Sequence, residues 1–305
     1  MAGANRIHWP RRGSLQFWPR VRARKQVPRV RTWAKSKDAK LVGFIGFKAG
    51  MTHVLFRDNR ATSHLKGMEV VTPVTIIECP PVKVLAYRAY HKTPYGLKLV
   101  YDSSSKKLSV PAVADQVTVV AQTNPQLTRL GKKHQDLIEL GVGGSAALET
   151  AKNLVGKDVK ASEVLKDGQW LDVHAVTVGK GFQGTVKRFG VKIRHHKAEK
   201  TKRGIGTLGP WVPSIVSWRV PQSGKMGYHT RTEYNKLLVK IGHKPEDINP
   251  KGGVTHYGII RNEYILVKGS IPGHVKREVV LTNAVRPVKK EFVPEIIKVS
   301  VASKQ

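Results

Sequence analysis

Four groups of residues have types and spacing that chemistry could use. Gly179-Lys180-Gly181-Phe182-Gln183-Gly184 matches G-x-G-x-x-G, which brings backbone amides to a pyrophosphate when it joins a strand to an apolar helix. Here it opens onto Thr185-Val186-Lys187-Arg188-Phe189-Gly190, a basic stretch soon broken by glycine, and no return strand follows within a βαβ length. Gly141-Val142-Gly143-Gly144-Ser145-Ala146 is a weaker match and reads as a turn and a helix start. His195-His196 offers two imidazoles, but adjacent histidines do not share a helix face, and no cysteine or carboxylate pair completes a metal site. Ser214, Ser217 and Ser223 have histidines nearby without a nucleophile-elbow context. Acids are too scarce around these residues for two-metal hydrolysis. No enzyme, metal or cofactor is expected.

What the chain holds in quantity is cation. Its 305 residues carry 54 Lys and Arg against 21 Asp and Glu, a formal charge of +33. Such a body repels itself unless it lies beside a polyanion. Residues 1–40 hold twelve Lys/Arg against Asp38, and residues 179–240 hold fourteen against Glu199 and Glu233; residues 111–170 are neutral. Concentration in two tracts is the footprint of nucleic-acid binding. Five of six tryptophans lie in or beside them: Trp9, Trp18, Trp33, Trp211 and Trp218. With little apolar company, these are expected to touch a partner, where flat rings stack on unpaired bases; Trp170 is expected in the core. The expected RNA contacts in the first tract are Arg11, Arg12, Arg20, Arg22, Arg24, Lys25, Arg29 and Arg31. In the second they are Lys180, Lys187, Arg188, Lys192, Arg194, His195, His196, Lys197, Lys200, Lys202 and Arg203, then Trp211, then Arg219, Lys225, His229 and Arg231. The histidines serve as further donors to phosphate or 2′-hydroxyl. A single cysteine, Cys79, excludes an internal disulfide and fits a reducing compartment. No uncharged apolar segment approaches the roughly 18–20 residues of a membrane helix, and the expectation is a soluble chain.

These residues need elements to position them. Residues 1–40 lack helical or strand period; Pro10-Arg11, Pro19-Arg20 and Pro28-Arg29 recur at nine-residue spacing, which predicts an extended arm without its own core. Leu41–Phe47, a turn at Ala49-Gly50 and Met51–Phe56 predict a hairpin. Strands are predicted at Val70–Glu78, Val82–Tyr90, Leu97–Tyr101, Val117–Ala121 and Trp170–Val178. Residues 126–168 are the expected helical section, with Ala146–Leu154 capped by Ser145 and a short helix at Ser162–Leu165. Residues 179–235 lose all periodicity, which inside a β domain implies a functional projection ordered by its partner. Strands resume at Val254–Arg261, Tyr264–Val267, Val279–Leu281 and Val293–Val299.

Several of these segments together resemble one family. Val173-His174-Ala175-Val176-Thr177-Val178-Gly179-Lys180-Gly181-Phe182-Gln183-Gly184 resembles the signature strand and turn of the universal large-subunit ribosomal protein L3 family. Gly209-Pro210-Trp211-Val212-Pro213, then Trp218 and Gly224-Lys225-Met226-Gly227-Tyr228-His229, resemble its tryptophan-tipped finger and return. Pro10-Arg11-Arg12-Gly13-Ser14-Leu15, Gly252-Gly253-Val254-Thr255-His256-Tyr257-Gly258 and Val267-Lys268-Gly269-Ser270-Ile271-Pro272-Gly273 match in family order, over residues 8 to about 285. The arm and the 100–170 section resemble an archaeal-type member. Lys202-Arg203-Gly204 departs from the eukaryotic His-Arg-Gly, so no role of that histidine carries over.

The resemblance implies a mainly β fold: a closed translation-protein-type β-barrel with an α/β insertion, a basic N-terminal arm and a long basic finger loop. The expected division is an arm at 1–40, a barrel body at 41–110, 170–178 and 252–305, an insertion at 111–169, and a finger with its return at 179–251. It implies a non-catalytic constituent of the cytoplasmic large ribosomal subunit that binds 23S-type rRNA early in assembly. Neighbouring ribosomal proteins would be partners, and the finger would approach the peptidyl transferase centre and aminoacyl-tRNA. The competing readings are an RNA-modifying or nucleotide-dependent enzyme using Gly179–Gly184, and a basic packer indifferent to RNA or duplex DNA.

Overall fold

Valine, isoleucine and threonine favour the half-buried, pleated surface of a sheet, and the computed structural model is mainly β. It describes residues 10–60, 62–105, 114–197, 201–288 and 292–303. The chain divides into two compact units, one of residues up to 24 plus 177–229, the other of residues 25–176 and 230 onward.

In the larger unit, β1 (Gly43–Arg57) pairs antiparallel from Phe47 to Arg57 with β2 (Glu69–Glu78). The expected hairpin at 41–56 is therefore one strand: the break at Ala49-Gly50 is a bulge between Lys48 and Gly50, with Ala49 fully buried. β3 (Val82–Thr93) and β4 (Gly96–Asp102) form a hairpin, and β3 also pairs with β5 (Gln116–Gln122). Within the section expected to be helical, Leu137–Val142 is instead a strand, β6, paired residue for residue with β5, because Ile138 and Leu140 alternate into the core. Helix α1 (Ala147–Leu154) follows, with Ala146 at the N-cap and no side-chain cap, so Ser145 does not cap it. The two-residue strand β7 (Asp158–Val159), helix α2 (Ala161–Val164) and strand β8 (Trp170–Val176) complete this section. β3 and β4 lie in the range expected for the barrel body but join β5, β6 and β7 in a separate sheet.

Between β8 and the next strand of this unit, the smaller unit contributes β9 (Phe182–Gln183), α3 (Thr185–Phe189) and β10 (Gly224–Lys225). Then comes β11 (Thr230–Gly242), which lies inside the range expected for the finger. Its basic, broken pattern hides a strand because a bulge between Glu233 and Lys236 shifts the register, the first half pairing β8 and the second pairing β12 (Tyr264–Lys268). The strand expected at Val254–Arg261 is a run of turns with one isolated bridge, Val254 to Gly258, because Gly253, His256 and Gly258 adopt positive φ. β13 (Glu278–Asn283) and β14 (Glu295–Val299) close the order.

The larger sheet runs β13-β8-β11-β12-β2-β1-β14, and β13 also pairs with β1, so β1, β2, β12, β11, β8 and β13 each have a partner on both edges. Its buried residues, among them Phe44, Ile45, Val173, Leu238, Ile265 and Leu281, form one core with buried residues of the second sheet. Roughly 25 cal/mol per Å² of apolar surface buried holds such a body together.

The root of the arm joins that core. Val27, Val30 and Trp33 pack against it and Pro28 is buried. A Cβ on Gly141 would sit 2.6 Å from Cδ2 of Trp33, so only glycine leaves the indole its seat. Trp33 is thus a packing residue, contrary to the partner contact expected for it, because the apolar company missing nearby in sequence arrives from β6. Trp170 packs with Phe56, Leu237 and Phe292 as expected.

Candidate nucleic-acid interface

The smaller unit is built from sequence that cannot bury much. Residues 1–24 hold six arginines and residues 177–229 hold eleven Lys/Arg, against the single acid Glu199, which lies outside the described residues, as do Lys200 and Trp9. Without acids there are no ion pairs among its described residues, and order comes from backbone groups and rings.

The loop is closed at its base, where Thr177 N–H donates to the His229 carbonyl at 2.9 Å and His229 N–H donates to Thr177 Oγ1 at 3.1 Å. Next inward, Lys180 N–H donates to the Met226 carbonyl and Met226 N–H to the Gly181 carbonyl, both at 2.9 Å, and β9 pairs with β10. Gly227 turns the returning strand at φ +76, where a Cβ would collide with the Val178 carbonyl oxygen. The G-x-G-x-x-G turn thus feeds a two-residue strand and α3, a five-residue helix ended by Gly190 in the left-handed conformation. No apolar helix stands behind it, so the nucleotide reading has no scaffold.

Beyond α3, residues 191–222 contain no helix or strand among the described residues. Irregular backbone needs partners for its carbonyls, and several arginines supply them. Arg188 donates from Nε to the Lys225 carbonyl (3.1 Å) and from Nη1 to that of Gln222 (2.8 Å), and burial lowers its pKa. Arg20 donates to the carbonyls of Arg188 (3.2 Å) and Ser14 (3.1 Å) while its guanidinium lies 4.2 Å from the Phe189 ring centre. Arg11 donates to the Arg219 carbonyl at 2.8 Å. His229 is buried and its Nδ1–H donates to the Val21 carbonyl at 2.7 Å. Trp18 completes this packing, with ring centres 5.2 Å from Trp218 and 6.4 Å from Phe189. Trp18 and Trp218, expected to meet a partner, therefore pack on each other. Phe189, which sequence reasoning passed over, is the buried ring beneath them.

The remaining expected contacts face outward. Arg12, Arg22, Arg24, Lys180, Lys187, Lys192, His195, His196, Lys197, Lys202, Arg203, Arg219 and Lys225 are exposed, with Arg194 half-buried. The two imidazoles of His195 and His196 lie 4.0 Å apart between centroids, and among the described residues no third ligand joins them. Trp211 is 92% exposed, flanked by exposed Val212 and Ile215. In the larger unit, Lys25, Arg29 and Arg31 are exposed and Arg231 is half-buried. The smaller unit's strongly basic described surface can neutralise phosphates, and its exposed Trp211 ring can stack or wedge. Among its described residues no cluster of His, Cys, Asp or Glu is placed to hold a metal.

A model of the family described as ribosomal protein L3 matches residues 3–113 and 106–305. Large ribosomal subunit protein uL3 of Archaeoglobus fulgidus is 47% identical, over 98% of this chain and 99% of that protein. The uL3 proteins of Methanothermobacter thermautotrophicus and Methanobrevibacter smithii are 46% and 44% identical over the same shares.

Proposed function

Because the chain belongs to the ribosomal protein L3 family, as an archaeal-type member, we propose that its smaller, strongly basic unit is the part that enters large-subunit rRNA. The protein is a structural, non-enzymatic constituent of the large ribosomal subunit. Within that role, the outward Lys and Arg of residues 10–31 and 180–225 meet phosphates, and Trp211 forms the tip of a finger directed at the peptidyl transferase centre and the path of aminoacyl-tRNA. The cyclic pairing of β1, β2, β12, β11, β8 and β13 supports reading the body as a closed barrel of the translation-protein type. The observation that carries the finger reading is Trp211, an almost fully exposed tryptophan on a segment without acids. Exposing so large an apolar ring is unfavourable unless a partner covers it.

The test is hydroxyl-radical footprinting of large-subunit rRNA with the wild-type chain and with Trp211→Ala. The variant is expected to assemble and to keep the arm and body footprints. It should lose protection at one internal rRNA site and alter the rate of aminoacyl-tRNA accommodation. Failure to assemble together with a lower melting temperature would make Trp211 a packing residue and overturn the finger reading.

A further inference from the structure

A surface in the larger unit, outside both basic tracts, is formed by two connections. Between β5 and β6 the chain runs Thr128-Arg129-Leu130-Gly131-Lys132-Lys133-His134-Gln135, and between β11 and β12 it runs from Asn249 through Gly252-Gly253-Val254-Thr255-His256-Tyr257-Gly258 to Asn262; neither stretch contains an acid. They meet: Arg129 Cβ lies 3.8 Å from where a Cβ would stand on Gly258, and the Asn262 side-chain amide donates to the Leu127 carbonyl at 3.1 Å. Underneath, Leu130, Ile248, Tyr257 and Ile260 are buried in one apolar cluster with Phe47 and Tyr264. Outside, Arg129, Lys133, His134, Lys251, His256 and Arg261 are exposed.

The second connection is fixed more firmly than a linker requires. Glu78, fully buried, accepts from the backbone N–H of Arg261 (2.9 Å) and Asn262 (3.1 Å), from the Asn262 side chain (2.8 Å) and from the Tyr257 hydroxyl. Asn249 exchanges two hydrogen bonds with the backbone of Ile260, at 2.9 and 3.0 Å. His256 is held at φ 62, a conformation that persists in a non-glycine residue only where its surroundings fix it. Lys132 turns inward to Asp136 and Glu278, whereas no ion pair among the described residues engages Arg129, Lys133, Lys251 or Arg261. A buried carboxylate is thus spent on holding a glycine-rich, acid-free loop in one shape beside a second basic loop.

We propose that this paired-loop surface is a third RNA-docking site, taking the sugar-phosphate backbone of a folded rRNA segment independently of arm and finger. Its ligand class rests on the ribosomal reading above. Guanidiniums of Arg129 and Arg261 match phosphate geometry, and the glycine backbone between them admits a close approach. A loop already in its bound shape loses little entropy on docking. An acidic segment of a neighbouring protein is the competing occupant.

The experiment uses the full chain and natural large-subunit rRNA, with log K measured against log salt. For Arg129→Ala/Arg261→Ala the slope is expected to fall by about 2, roughly one for each phosphate left without its guanidinium, at an unchanged melting temperature. Arg129→Lys/Arg261→Lys should restore the slope, which also controls for misfolding. Tyr257→Phe keeps every cation but removes one of the donors to Glu78, and should weaken binding at unchanged slope. An unchanged slope in the alanine variant overturns the proposal; if the reconstituted subunit then also lacks a neighbouring protein, the occupant is that protein. Absence of salt-dependent rRNA binding by the wild-type chain would instead sink the ribosomal reading.

Discussion

Glu278 is fully buried on β13, and its carboxylate takes contacts from two other parts of the chain. Gln26, at the root of the arm, donates to it at 2.6 Å, and Lys132, from the β5–β6 connection, bridges it to Asp136. Burial pushes the Glu278 carboxyl up, but the hydrogen bond and charge of Lys132, a backbone N–H and Gln26 together outweigh it and the pKa lies below its ordinary value. Burial and the neighbouring Glu278 raise Asp136, while Lys132, despite its own desolvation, is raised by its two carboxylate partners. Lys132→Met would leave a buried charge uncompensated and is expected to cost about 3–5 kcal/mol in urea unfolding. Lys132→Met/Glu278→Leu should recover much of that. The Glu278 contribution is present above the unfolded carboxylate range, near pH ~4.3, and is lost as pH falls through the lower folded value. Equal urea midpoints for wild type and Lys132→Met at pH 7 would contradict the account. Residue type alone disclosed donors in abundance, but it could not say that Arg20, Arg188 and His229 are committed to carbonyls of their own unit, because those partners lie far away in sequence.

At the scale of elements, Val70–Glu78 and Val117–Ala121 were legible because β-branched residues there are bounded by turns, and each lies within an observed strand. β11 was not, because Arg231, Lys236 and Lys240 interrupt its apolar residues and its bulge breaks the alternation. The glycines at 141–144 show the opposite ambiguity. Their spacing resembled a phosphate turn, yet their use is to let residues 33–39 lie against β6 and the loop after it: Gly141 faces Trp33, Gly143 faces Ser36 and Gly144 faces the Ala39 backbone. Sequence periodicity registers what a side chain does, whereas these positions matter through a side chain that is missing. Gly141→Val is expected to destabilise the larger unit by about 1–3 kcal/mol through overpacking against the indole. Chemical denaturation reads this directly, and a midpoint equal to wild type would mean that Trp33 is not seated there.

The arm was expected to act as one piece along residues 1–40, and at the scale of the whole molecule its two halves do different things. Residues 10–24 belong with 177–229, whereas residues 25–40 belong with the larger unit, where Val27, Val30 and Trp33 join the core. Composition could not show this division, since both halves are strongly basic, with six Arg in residues 1–24 and six Lys and Arg in residues 25–40. Two truncations separate the roles. Removing residues 1–24 deletes six arginines and no acid, so the slope of log K against log salt on large-subunit rRNA should flatten by up to about 0.7–0.9 for each phosphate no longer neutralised. The unfolding midpoint of the larger unit should stay at its wild-type value, because none of its core residues is removed. Removing residues 1–40 also takes Trp33 and Gln26, uncovering Gly141 and withdrawing a donor from Glu278. That truncation should flatten the slope further and also lower the midpoint, by an amount comparable to burying one large aromatic, about 3 kcal/mol. A shorter truncation that lowers the midpoint as much as the longer one would make the first 24 residues part of the folded body. A longer truncation that leaves the midpoint untouched would make residues 25–40 a passive tether between RNA-binding arginines and the sheet.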